Sequence, residues 1–181
     1  MKSTLAVLAL GLLALMLQGA IARAVSPPWC PDLAWLVVVG IGLRWPGFVS
    51  GFVLSVLLGF AMDAVSGSLD GQHALLRGIS YLAAAIAARQ LDLSGGIPIA
   101  LLTFALSVAY GLGVVATRSV FLGPEPIGLE TAAVAVAQAF VHMLCAPPIV
   151  GLVERIVNRF ANEELTRRGA FALGYPGRGR R

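Results

Sequence analysis

From Gly47 to Ser66 the chain holds a single charged residue, Asp63. A stretch this long and this apolar fits a helix crossing a bilayer, because lipid offers no partner for backbone N–H and C=O groups and a helix satisfies its own. Within it Gly47, Gly51, Ser55, Gly59 and Asp63 recur at every fourth position. On a helix they make one narrow stripe of small residues ending in a carboxylate. Small residues at this spacing let two helix backbones approach closely in lipid, where van der Waals contact drives association. A second helix is therefore expected on the stripe.

The rest of the chain has the same character. Hydrophobic residues make up 58% of the 181 and charged residues 12%, too little polar surface for a water-soluble globule. The composition implies an all-α integral membrane protein. Six apolar runs can be read along it, giving a six-span transmembrane domain over 1–153, an amphipathic helix over 154–168 and a disordered basic tail over 169–181. The first run, Leu5 to Ala22, ends in AIAR and also resembles a secretory signal with its cleavage site. A retained first span gives an even number of crossings and is the reading taken. The second, Asp32 to Leu43, is short and is read as a short full crossing helped by Trp45 and a snorkelling Arg44. Cys30 and Cys145 fall in a loop and in the last span, so both are expected as free thiols.

Positive charge sets the orientation. With six spans, Lys2, Arg44, Arg89 and the seven arginines after Val153 share one side, while Arg23, Arg77 and Arg118 lie on the other. The positive-inside rule then places both termini in the cytoplasm and the Asp63 turn outside. A five-span chain with an external amino terminus is the alternative.

The chemistry-bearing residues gather after the small-residue helix. Ser66, Gly67, Ser68, Leu69, Asp70 and Gly71 form a turn, with two glycines free to take positive φ. His73 and Arg77 follow, one helical step apart on one face. Asp63 could pair with Arg77 across the turn, cap the following helix, or serve as a proton or ligand site. The structural roles are preferred, and Gly51, Ser55, Gly59, Asp63, Ser66, Gly67, Gly71, His73 and Arg77 form the candidate structural or partner-binding set. In the last span Thr131, Gln138, His142 and Cys145 share a side and are expected to face the bundle, with interhelical hydrogen bonding preferred over metal binding. No nucleophile–base motif, phosphate loop, HExxH or paired CxxC occurs. No catalytic residue, cofactor, metal or nucleic-acid partner is expected.

The stretch PDLAWLVVVGIGLRWPGFVSG, followed by GFAMDAVSGSLDGQHAL, resembles MreD, the rod shape-determining membrane protein family of bacteria. The resemblance rests on Pro31, Asp32 and Leu33, Arg44 to Pro46, Gly59 and Asp63, Ser66 and Gly67, and Gly71 with His73, Ala74 and Leu75. It departs from the family pattern at Leu69, where proline is usual, and at Asp70, where an apolar residue is usual. It implies a non-enzymatic scaffold of the cell-wall elongation complex in the bacterial inner membrane. The implied partners are an MreC-like bitopic protein and, directly or indirectly, a RodA-type glycosyltransferase, a penicillin-binding transpeptidase and an MreB-like filament. The family is similar in fold to the six-helix substrate-binding membrane subunits of energy-coupling-factor transporters. This supplies an alternative, a small-molecule uptake subunit. The arginine-rich tail is separately expected to attract anionic lipids.

Overall fold

The computed structural model describes residues 2–25, 28–67, 69–123 and 128–173, without the side chains of Lys2 and 161–173. Six helices account for nearly all of it: α1 (Lys2–Ile21), α2 (Leu33–Arg44), α3 (Phe48–Ser66), α4 (Gln72–Gln90), α5 (Gly96–Leu122) and α6 (Leu129–Leu173). Four of them, α1, α3, α5 and α6, contain stretches long and apolar enough to cross a membrane. In α4 the apolar character is interrupted by Gln72, His73 and Arg77, whose side chains turn into the bundle or lie half-buried.

The short second helix is the axis of the assembly. Every residue from Ala34 to Leu43 is buried, and α1, α3, α4 and α6 all pack on it. Such a helix meets little lipid, so its length need not match the bilayer. Two apolar clusters hold it. Val37, Val38 and Ile41 pack with Val7, Leu54, Leu58, Tyr81 and Val153. Trp35, Leu36, Val39 and Leu43 pack with Ala84, Leu93, Ile99, Ala146 and Val150. At its end Arg44 donates to the Leu93 carbonyl at 2.8 Å and approaches Glu154 at 3.3 Å, which fixes this end against α6. The expected snorkelling arginine is thus held by protein partners.

The small-residue stripe lies between α3 and α4. Gly51, Ser55, Gly59 and Asp63 are buried. A Cβ at Gly51 would stand 2.6 Å from the Tyr81 hydroxyl, whose oxygen donates to the Phe48 carbonyl at 2.7 Å. At Gly59 it would meet backbone, 2.6 Å from the His73 carbonyl oxygen and against Ala74. Ser55 keeps the face smooth by turning its hydroxyl back to the Gly51 carbonyl at 2.8 Å.

Two boundaries differ from the sequence reading. Helix α5 runs on to Leu122 and α6 begins at Leu129, so both ends of the expected long loop from Arg118 to Glu130 are helical, and 124–127 lie outside the described residues. Helix α6 also passes Pro147 and Pro148 and continues to Leu173. It absorbs the expected separate helix 154–168 and the first residues of the expected tail. The physical reason is visible as far as Val157: Val153 is buried, and Ile156 and Val157 pack on the core, so the bundle seam does not end at 153. The remainder of the tail, 174–181, lies outside the described residues.

Substituting Gly59 by alanine should lower stability by about 1–3 kcal/mol, because a backbone cannot retreat as a flexible side chain does. At Gly111 nothing lies within 4 Å of an added Cβ, so the same change there should be close to neutral. Thermal unfolding of the two variants in one detergent checks the difference.

Candidate functional site: a buried polar cluster at the Asp63 end

Helix α4 starts without a cap of its own, since its N-cap residue is Gly71. The first turn of any helix leaves backbone N–H groups without intrahelical partners. Asp63 supplies the acceptor from the neighbouring helix. Its Oδ1 accepts the His73 amide at 2.9 Å and its Oδ2 the Ala74 amide at 3.1 Å. The His73 ring adds an Nδ1 contact of 2.8 Å to the same Oδ1. A carboxylate oxygen accepts, so the ring carries its proton at Nδ1. Gly67 at φ 61° and Gly71 at φ 86° let the chain reverse between the helices, a conformation costly for residues with a Cβ. Ser66 ends α3 on the exposed side of this turn. Capping of the following helix, one of the readings left open by the sequence, is the geometry found.

Arg77 does something else. Its side chain is fully buried and its Nη2 donates to both oxygens of Asp32, each at 3.0 Å, while Nη1 donates to the Leu58 carbonyl at 2.9 Å. Pairing with Asp63, one of the readings the sequence left open, is not the geometry found: Arg77 pairs through Nη2 with both oxygens of the residue that opens α2. One turn separates His73 from Arg77, and that rise carries the guanidinium past the carboxylate of Asp63 to the start of α2. Asp32 also caps its own helix, its Oδ1 accepting the Trp35 amide at 2.8 Å. One acid thus fixes the start of α2 and neutralises a buried cation on α4.

Around this pair the interior is polar and aromatic. The Asp32 amide donates to His142 Nε2 at 2.9 Å, and His142 Nδ1 lies 2.7 Å from Ser107 Oγ. Since Nε2 accepts, the neutral ring bears its proton at Nδ1 and donates it to Ser107. His142 therefore cannot take the Ser107 proton, and the pair does not form a serine nucleophile with its base. Trp35 donates to Ser80 Oγ at 3.1 Å and stacks obliquely against Tyr110 and His142, with ring centroids 5.6 and 5.1 Å away. The Tyr110 hydroxyl lies beside the Arg77 guanidinium. Neither Tyr110 Oη nor Arg77 Nε makes a hydrogen bond of good geometry. Gln72 ties α4 to α5 through Thr117 Oγ1 at 2.8 Å and the Val114 carbonyl at 3.2 Å.

The expected polar face of α6 is only partly inward. His142 is buried, Gln138 and Cys145 are half-buried, and Thr131 is exposed. Both cysteines are free thiols. Among the described residues no group of three His, Cys, Asp or Glu side chains is placed to hold a metal ion. Sequence reasoning missed Tyr110, Trp35, Ser80, Ser107, Gln72 and Thr117 as members of the cluster. They are scattered polar and aromatic residues of α2, α4 and α5 that belong to no motif, and only the signal that such residues turn inward in lipid pointed to them.

No protein-family profile, curated protein sequence or solved structure matches the chain.

Replacing Arg77 by methionine should destabilise the bundle by about 3–5 kcal/mol, because it leaves the Asp32 carboxylate without its buried partner. Adding Asp32→Asn, which keeps a capping oxygen for Trp35 while removing the charge, should restore part of the loss. Unfolding of the two single variants, the double variant and the parent in detergent measures the coupling. Additive losses would break the pairing argument.

Proposed function

We propose that the protein is a non-enzymatic membrane scaffold of the bacterial cell-wall elongation complex, of the kind that MreD-like proteins form. It sits in the cytoplasmic membrane with both termini inside, and it maintains rod shape by binding an MreC-like bitopic protein. Through that partner it reaches a RodA-type glycosyltransferase, a penicillin-binding transpeptidase and an MreB-like filament. The observation that carries this reading is the locked turn between α3 and α4. Three contacts to one carboxylate and two left-handed glycines tie the start of α4 to the end of α3. Several of the residues on which the MreD resemblance rests fall on this unit and on its support, Asp32 under Arg77, Gly59 under Ala74, and Asp63 with Gly67, Gly71 and His73, while Arg44 to Pro46 lie at the other end of α2. A preorganised surface binds a partner without losing the entropy of ordering it.

The polar cluster supports the same reading. Asp32, His142, Trp35, Ser80 and Ser107 are spent on one another, as expected of groups that fix helix positions.

Asp63→Asn is the informative substitution. An amide offers one acceptor oxygen and turns its NH₂ toward a backbone N–H, so one capping contact becomes a clash of donors and the turn loses about 1–3 kcal/mol. Affinity purification from native membranes in mild detergent, read by mass spectrometry, should recover an MreC-like protein and wall-synthesis enzymes with the parent and much less with Asp63→Asn. Undiminished recovery with normal cell shape would remove the turn from the interface. Recovery of paired ATPases with a coupling membrane subunit would instead make the protein an uptake subunit.

A further inference from the structure

Arg89 is held unlike Arg44 and Arg77. Arg44 is engaged by the Leu93 carbonyl and Glu154, and Arg77 by Asp32 and the Leu58 carbonyl. Arg89 stands exposed in the last turn of α4, and among the described residues it has no carboxylate partner. Its guanidinium carbon lies 5.5 Å from the centroid of the Phe48 ring, at the first residue of α3. A guanidinium over an aromatic face is attracted by the ring quadrupole and keeps its N–H donors for another group. At the edge of a bilayer a phosphate oxygen is the acceptor that suits them.

The depth fits a lipid headgroup. The 19 residues of α3 span about 28 Å at ~1.5 Å each, close to the ~30 Å of a hydrocarbon core, so Phe48 and Arg89 lie at its boundary. Trp45 beside them donates from Nε1 to Ser50 Oγ at 2.9 Å, an aromatic with a polar tip of the kind that sits at this level. Below Arg89 the two helices meet in an apolar seam. On α3, Phe48, Phe52 and Val56 follow at every fourth position. On α4, Leu82 and Ile86, two turns and one turn away, lie on the Arg89 side. Gly78 continues this seam, since an added Cβ there would stand 3.3 Å from both Phe52 and Val56. Phe52, Val56 and Leu82 are half-buried and Ile86 is exposed. One unpaired cation thus heads an apolar strip about 12 Å long.

Charge selects the kind of lipid. Arg155 and Arg159 are exposed on α6 just past Glu154, whose contact with Arg44 puts them at this end of the bundle. Against them stand Glu154, which Arg44 offsets, and Asp92, whose carboxylate accepts the Ser94 amide. The exposed balance is cationic, which disfavours a headgroup carrying its own ammonium. We infer that Arg89 and the seam below it bind an anionic phospholipid, with the guanidinium on the phosphate and an acyl chain along Phe48, Phe52, Val56 and Leu82. Basic residues between transmembrane helices are suited to such headgroups. Phe48 already restrains Arg89, so binding orders it at less cost than it would a free arginine. The site is independent of any elongation-complex partner and of the tail beyond Leu173.

The intact protein in mild detergent is titrated with phosphatidylglycerol, with phosphatidylcholine of the same chains, or with inorganic phosphate. Retained lipid is counted by native mass spectrometry, and the thermal unfolding midpoint is followed in parallel. Phosphatidylglycerol should be retained and should raise the midpoint, and phosphatidylcholine should do so far less. Arg89→Gln, at an exposed position, should keep the lipid-free midpoint and weaken phosphatidylglycerol binding by about fivefold or more, the factor equivalent to about 1 kcal/mol per charge at an anionic headgroup. Arg118→Gln, at an exposed arginine near the Asp63 end, should bind as the parent does. Undiminished binding by Arg89→Gln, or an equal loss in both variants, would overturn the site. Equal retention of phosphatidylcholine would overturn the anionic preference, and displacement of the lipid by inorganic phosphate would make it a free-anion site instead.

Discussion

The Asp32–Arg77 pair is the constraint on which the other contacts depend. A charge in the interior of a membrane bundle is tolerated only when paired and hydrogen-bonded, and arginine suits the task because its several N–H donors can serve a carboxylate and another acceptor at once; here Nη2 meets both Asp32 oxygens and Nη1 is left for elsewhere. Nη1 reaches the Leu58 carbonyl, so one side chain joins α2, α3 and α4. The geometry also dictates where α2 begins. Asp32 cannot serve as cap, counter-ion and amide donor to His142 unless the helix starts at this depth. The short second helix is a consequence of the pair.

Close packing of α3 on α4 is what brings Arg77 within reach. Gly51 admits the Tyr81 ring and Gly59 admits the backbone at His73 and Ala74. With larger residues at these positions α4 would stand away from α3, and the Asp63 carboxylate would lose the amides it caps. Packing and polar contact are thus coupled through one helix start. Dispersion brings the backbones together, and the carboxylate then satisfies the N–H groups that the approach would otherwise leave bare in lipid.

Much of this architecture is legible in the residue order, and the failures have physical causes. The fourfold spacing of Gly51, Ser55, Gly59 and Asp63 specifies which face of α3 meets a helix, because small residues have no other strong use in lipid. Gly67 and Gly71 mark the turn through their conformational freedom. The partner of Arg77 was not legible. Asp63 is near in sequence and Asp32 far, but helical rise and the depth of the α2 start decide the match, and neither is written locally. The end of α6 was misjudged for a related reason: Glu154, Arg155, Asn158 and Arg159 suggest a surface helix, whereas Val153, Ile156 and Val157 between them prolong the buried seam. The central role of α2 was likewise hidden, since an apolar run reads the same whether lipid or protein surrounds it.

The distribution of polarity bears on what the cluster is for. Its charged members sit toward the Asp63 end. Toward the other end the interior of α2 is apolar from Leu36 to Leu43, packed on Leu54, Ala84, Ala85, Val150 and Val153. Ser55, Tyr81 and Thr103, the buried hydroxyl-bearing residues along this part, give their protons to backbone carbonyls of Gly51, Phe48 and Ile99. A proton relay needs groups that exchange partners along a continuous line, and these hydroxyls are fixed on carbonyls within an apolar layer. The arrangement therefore favours an anchored face over a conducting path: the apolar half holds the helices together, and the polar half fixes the geometry of the end that carries the turn.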